Sequence, residues 1–151
     1  NYEKLIDKVK KLCDYAYPAN IMIENMPLDI EYGACEEELF DIFNKVDKPN
    51  LKLIYDTGHG HVAYKNTVLE NKLLNDFKDK LYHFHINDNN SLSDQHQRCG
   101  AGNVEFEKVL KDLKKNGYNQ VFSLEILFNT VDDLRDYAKD FIEILKNVEL
   151  L

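Results

Sequence analysis

No apolar run in the 151 residues approaches the roughly 20 positions needed to cross a bilayer, and no signal-peptide pattern opens them. A membrane partner is therefore not expected. The three cysteines, Cys13, Cys35 and Cys99, are odd in number and nowhere form a CxxC pair, which argues against a disulfide framework or a zinc finger. A reducing, cytoplasmic setting is the expectation. Positive charge is in deficit: 19 Lys and Arg stand against 27 Asp and Glu, a net charge of −8. Binding driven by phosphate neutralisation needs clustered cations, so nucleic acid is not the expected partner. The pairs Lys10-Lys11 and Lys114-Lys115 fall on expected outer helices, where solvated charge is the ordinary state. Low-complexity segments and linkers are lacking too, and a single domain over 1–151 is expected. The first residue is Asn1 rather than Met, which suggests a processed N-terminus or the cut edge of something longer.

What the sequence does contain is a repeated unit. Tyr2, Leu5, Ile6, Val9, Leu12, Cys13 and Ala16 recur at helical steps, predicting a helix over residues 2 to 16 ended near Pro18. Residues 20 to 24 form an apolar run too short for a helix and are predicted as a buried strand ending on Glu24. Helix then strand follows three more times. A helix from about Cys35 to Val46 precedes strand 51 to 56; one from about Thr67 to Asp79 precedes strand 81 to 86. One from about Asn103 to Asn116, stopped by Gly117, precedes strand 121 to 126. Thr130 with Asp133 resembles a capping box opening a last helix to about Asn147. Strands alternating with helices imply right-handed crossovers and an α/β fold with a parallel sheet. Four such units could make a small open sheet or half of a (β/α) barrel of the TIM type.

In such folds the functional groups gather where the strands end. Glu24, Asp56, His85 and Glu125 each stand at or near the end of an apolar run, where an uncompensated charge is costly. They form a candidate metal site. Their mixed oxygen and nitrogen donors suit one divalent ion, Zn²⁺ or Mn²⁺ before Mg²⁺ or Co²⁺. Each residue has an ordinary alternative. Asp56 could cap a helix, and His59 and His61 could be solvated histidines of a loop. His83 and His85 are two apart in a strand, hence on one face, and need partners if buried. Asp94 and His96 could be ligands or a substrate clamp, Gly100-x-Gly102 a weak phosphate cradle or a plain turn, and Arg98 a phosphate contact or a solvated cation.

Five fragments in order, Ile23-Glu24-Asn25-Met26-Pro27, Asp56-Thr57-Gly58-His59, His85-Ile86-Asn87-Asp88, Asp94-x-His96-x-x-x-Gly100-x-Gly102 and Leu124-Glu125-Ile126, resemble the xylose-isomerase-like TIM barrels. That superfamily includes sugar phosphate isomerases and epimerases and the endonuclease IV group. The resemblance runs over nearly the whole chain and implies that Glu24, Asp56, His85 and Glu125 ligate one divalent ion. In the epimerase branch it further implies that Glu24 and Glu125 act as acid and base through an enediolate, with His59 touching substrate. In the endonuclease branch His59, Asp94 and His96 would hold a further zinc.

The resemblance also implies that these residues are the C-terminal half of a barrel whose usual length is roughly 250 residues. Two strand edges would then be open, inviting self-association or completion by an N-terminal half. The single-metal set of an isomerase lies within this chain, whereas a three-zinc site would need histidines from the other half. The leading expectation is thus a metal-dependent sugar or sugar phosphate isomerase or epimerase. An abasic-site endonuclease and a degenerate, metal-binding barrel without catalysis are the alternatives.

Overall fold

Four apolar runs fold as β1 (Ile21–Glu24), β2 (Leu51–Asp56), β3 (Leu81–Ile86) and β4 (Val121–Leu124). They form one parallel sheet in the order β1-β2-β3-β4. In this computed structural model, residues 1–28, 30–65 and 67–151 are described, with the backbone alone for 67–71. Helices α1 (Tyr2–Ala16), α2 (Glu36–Val46), α3 (Thr57–Tyr64), α4 (Thr67–Asp76), α5 (Phe106–Lys115) and α6 (Val131–Asn147) complete the order. None of the described helices is long and apolar enough to cross a membrane.

The expected alternation of strand and helix is present, with one addition. Residues 57–64, where no helix was expected, are the helix α3. Two glycines weaken its helical pattern, but Asp56 accepts the His59 N–H at 2.7 Å and caps it. Thr130 and Asp133 form the expected capping box of α6, with Asp133 N–H donating to Thr130 Oγ1 at 3.1 Å and Thr130 N–H to Asp133 Oδ2 at 2.9 Å. Three boundaries moved. β4 stops at Leu124, so Glu125 lies just beyond it, still donating its N–H to Ile86 O at 3.0 Å. α4 ends at Asp76, and α5 begins at Phe106 rather than near Asn103.

The register sorts the strand residues into two faces, because laterally paired residues of a parallel sheet point the same way. Tyr55, Phe84 and Phe122 make one row facing the helices, and Leu53, Tyr55, Phe84 and Ile86 are 0% exposed there. The opposite face carries the row Glu24, Ile54, His83, Val121 and, beyond it, Asp56, His85, Ser123. No described helix covers this face, and Met22 and Val121 remain 40% and 58% exposed. Between Leu53 and Ile54 the β2–β3 register slips by a residue: Leu53 pairs with Leu81, but Ile54 pairs with His83. Tyr82 is the extra residue, its ring 5.4 Å from the Lys52 ammonium.

Candidate metal centre

The strand ends bring Glu24, Asp56, His85 and Glu125 together, with one ligand atom from each within 4.8 Å of all the others. His85 Nδ1 sits 3.1 Å from Glu24 Oε1 and 2.5 Å from Glu125 Oε2. One ring nitrogen carries at most one proton and cannot serve two carboxylates. Glu125 Oε2 is buried and makes no hydrogen bond despite that close approach. Asp56 is wholly buried, and burial pushes its carboxyl up to about 6, against the opposing pull of His59 and its backbone N–H. Three carboxylates crowding one imidazole are mutually repulsive, and a divalent cation among the four donors removes that conflict. The residues therefore fit a metal of the kind expected.

Supporting side chains hold these donors. Asn25 grips the Asp56 backbone from both sides, accepting its N–H at 2.7 Å and donating to its carbonyl at 3.1 Å. Asn87 donates to Asp56 Oδ2 at 2.6 Å. Gly58 is required where it stands, because a Cβ there would lie 1.8 Å from Asn87 Oδ1. On the open face below, His83 meets Ser123 Oγ at 2.8 Å and packs edge-on to the His85 ring at 5.2 Å between centroids.

His59, Asp94 and His96 form a second cluster by the same measure. His59 Nδ1 lies 2.8 Å from Asn25 O, and His96 Nδ1 lies 2.8 Å from Glu125 O. A carbonyl only accepts, so both Nδ1 atoms carry the proton, and both Nε2 atoms turn toward Asp94 Oδ2, at 3.3 Å and 2.9 Å. Burial works against a charged His96, but the Glu125 carbonyl and the charges of Asp94 and Asp56 outweigh it and raise its pKa. With both Nε2 atoms and Asp94 Oδ2 converging, the cluster offers three donor atoms to a cation. His61 stands apart, bonded to Asn103 Oδ1 at 2.8 Å.

Asp88, present in one of the five sequence fragments but given no role there, supports the site. It is 1% exposed, and its carboxylate accepts the N–H groups of Asn89, Gly100, Gly102 and Val104 at 2.8, 2.9, 3.0 and 3.0 Å. This corrects the reading of Gly100-x-Gly102 as a phosphate cradle: its amides already hold an anion, the protein's own. The same bonds keep residues 100–105 out of α5 and pin the far end of the loop that carries Asp94 and His96. The signal in sequence was the polar run Asn87-Asp88-Asn89-Asn90 following an apolar strand. Arg98, considered for phosphate, instead pairs with Asp140 at 2.8 Å.

Comparison with known proteins gives this arrangement a context. An uncharacterized protein of Methanocaldococcus jannaschii is 33% identical over 148 residues, covering 96% of this chain and 49% of the relative. Fructoselysine 3-epimerase of Escherichia coli O157:H7 is 22% identical, over 93% of this chain and 51% of its own. The chain thus spans about half the length of the curated relatives it matches. Among solved structures, a D-tagatose 3-epimerase-like protein superposes with a TM-score of 0.83 at 31% identity, over 95% of this chain and 54% of the other. A D-allulose 3-epimerase from Methylomonas sp. gives 0.76 at 22% identity, over 91% and 53%. The four parallel βα units therefore correspond to about half of a TIM-barrel sugar epimerase. The sequence profile of the xylose isomerase-like TIM barrels matches residues 1–148, and the chain belongs to that family.

Proposed function

We propose that this chain carries the metal centre of a divalent-metal-dependent sugar or sugar phosphate isomerase or epimerase. The observation that carries the reading is the convergence of Glu24, Asp56, His85 and Glu125 within 4.8 Å at the ends of four neighbouring strands. Zn²⁺ or Mn²⁺ suits these donors best, and Mg²⁺ or Co²⁺ can occupy them. When bound, the ion supplies Lewis-acid polarisation of the sugar oxygens. Glu24 and Glu125 then share the proton transfers. One takes a proton from the carbon beside the carbonyl, and the other returns one to the enediolate. Asp56, held by Asn25 and Asn87, stays fixed, and His59 faces the substrate. Further βα units, in the same polypeptide or in an associating half, would cover the inner face and close the barrel over the sugar.

The second cluster favours a second reading, in which His59, Asp94 and His96 hold another zinc and the protein cuts abasic DNA. Incubating the protein with Mn²⁺ or Zn²⁺ and ketoses or ketose phosphates in D₂O tests the first reading. Deuterium enters the carbon next to the carbonyl and epimers accumulate, while Glu125→Gln loses both the exchange and most of its bound metal. Unchanged metal content in Glu125→Gln would show the ligand assignment to be wrong. Cleavage of an abasic duplex with no sugar interconversion would put the nuclease first.

A further inference from the structure

The four donors of the metal centre are not equally held. Glu24 and His85 belong to β1 and β3, and Asp56 closes β2 in the grip of Asn25 and Asn87. Glu125 stands past the end of β4, a strand paired on one side only among the described residues. Its side chain is 45% exposed, against 26% for Glu24 and 22% for His85. A single ladder bond, from its N–H to Ile86 O, carries the sheet on to it. Two further bonds hold this segment, and both come from one residue of another loop, His96.

The His96 ring donates its Nδ1–H to Glu125 O at 2.8 Å, and the His96 carbonyl accepts the Leu127 N–H at 2.8 Å. Side chain and main chain of one residue thus close on the two peptide groups that flank Ile126, and they fix the direction in which the chain leaves Glu125. To reach both, His96 holds φ at 46°, in the left-handed region that residues with a Cβ enter at a cost. Such strain persists where surrounding bonds over-determine it. Here the next residue is locked: Gln97 and Asp88 exchange two main-chain hydrogen bonds, each 2.9 Å. Asp88 follows His85 by three residues, so the clamp ties the Glu125 segment back to the strand exit that carries His85. Asp94 Oδ2 meets the other nitrogen of the His96 ring at 2.9 Å and limits its rotation.

We propose that His96 is a positioning residue, acting through the main chain of Glu125 to hold that carboxylate at the metal centre. The inference rests on the reading of Glu125 as metal ligand and proton-transfer group. Asn and Gly separate this role from any contact made by the ring's Nε2. Both tolerate the left-handed backbone, and the Asn amide N–H can take the place of Nδ1–H while nothing replaces Nε2. Wild type, His96→Asn and His96→Gly are compared by amide exchange at Leu127 in the metal-free protein, by calorimetric Mn²⁺ affinity, and by ketose exchange in D₂O. In His96→Gly the Leu127 amide exchanges faster, Mn²⁺ binds about tenfold or more weaker, and kcat falls about tenfold or more with KM little changed. His96→Asn restores most of each loss. His96→Asn as impaired as His96→Gly overturns the proposal, because Nε2 then carries the function. An unchanged Leu127 amide or wild-type Mn²⁺ affinity in His96→Gly also overturns it. Weakened Mn²⁺ binding that His96→Asn restores, with no ketose exchange in any of the three proteins, supports the clamp and overturns the sugar reading.

Discussion

The two faces of the sheet have opposite compositions although they share every strand. Facing the helices, Leu53, Tyr55, Phe84 and Ile86 are sealed from solvent and stacked in register. Facing the other way, the same strands present Glu24, Asp56, His83, His85 and Ser123 among exposed carbon such as Val121. Strand stability and chemistry are thus carried by alternate residues of the same segments. The outer face can be exacting about shape because nothing reactive depends on it directly, and the inner face can be polar because the outer one supplies the burial.

Substitutions on each face sharpen that contrast. The largest effect is expected for Phe84→Ala, which empties a fully buried site ringed by Tyr55, Tyr118 and Phe122. Urea titration is expected to show a loss of about 3 to 5 kcal/mol. An intermediate cost, about 1 to 3 kcal/mol, is expected for Asp88→Asn, which weakens a carboxylate accepting four backbone N–H groups. Amide exchange at Gly100, Gly102 and Val104 should accelerate more than exchange in β2 or β3; uniform acceleration would make Asp88 a general rather than a local support. The smallest effect is expected for Val121→Ser, on the exposed face, within about 0.5 kcal/mol. A cost near that of Phe84→Ala would mean that Val121 is covered in solution, and the contrast between the faces would fail.

Much of the architecture was legible because buried parallel strands must be apolar and short while their crossovers must be helical. The runs ending at Glu24, Asp56 and Ile86 announced themselves in this way, as did the capping box at Thr130 and Asp133. The helix α3 was hidden because Gly58 and Gly60 argue locally against it. Gly58 is there because Asn87 leaves no room for a side chain, a tertiary requirement that no local pattern records. Asp56 was legible twice, as a helix cap and as a member of the metal cluster, and it occupies both positions at once. Asp88 was legible as part of a motif but not as an anchor, because three of the four amides it gathers lie 12 to 16 residues further along the chain. The close approach of His59 and His96 around Asp94 depended on backbone carbonyls of Asn25 and Glu125, which have no signature in sequence.

The register slip between Leu53 and Ile54 sets the phase of β3. Had pairing continued without it, Ile54 would stand opposite Tyr82 and Asp56 opposite Phe84, and both histidines of the strand would be turned under the helices. A phenyl ring would then lie where the imidazole of His85 now meets Glu24 and Glu125. One inserted residue, Tyr82, works as a frame-setter: upstream of it the strand answers only to the core, and downstream its reading frame is the one in which the chemistry points inward.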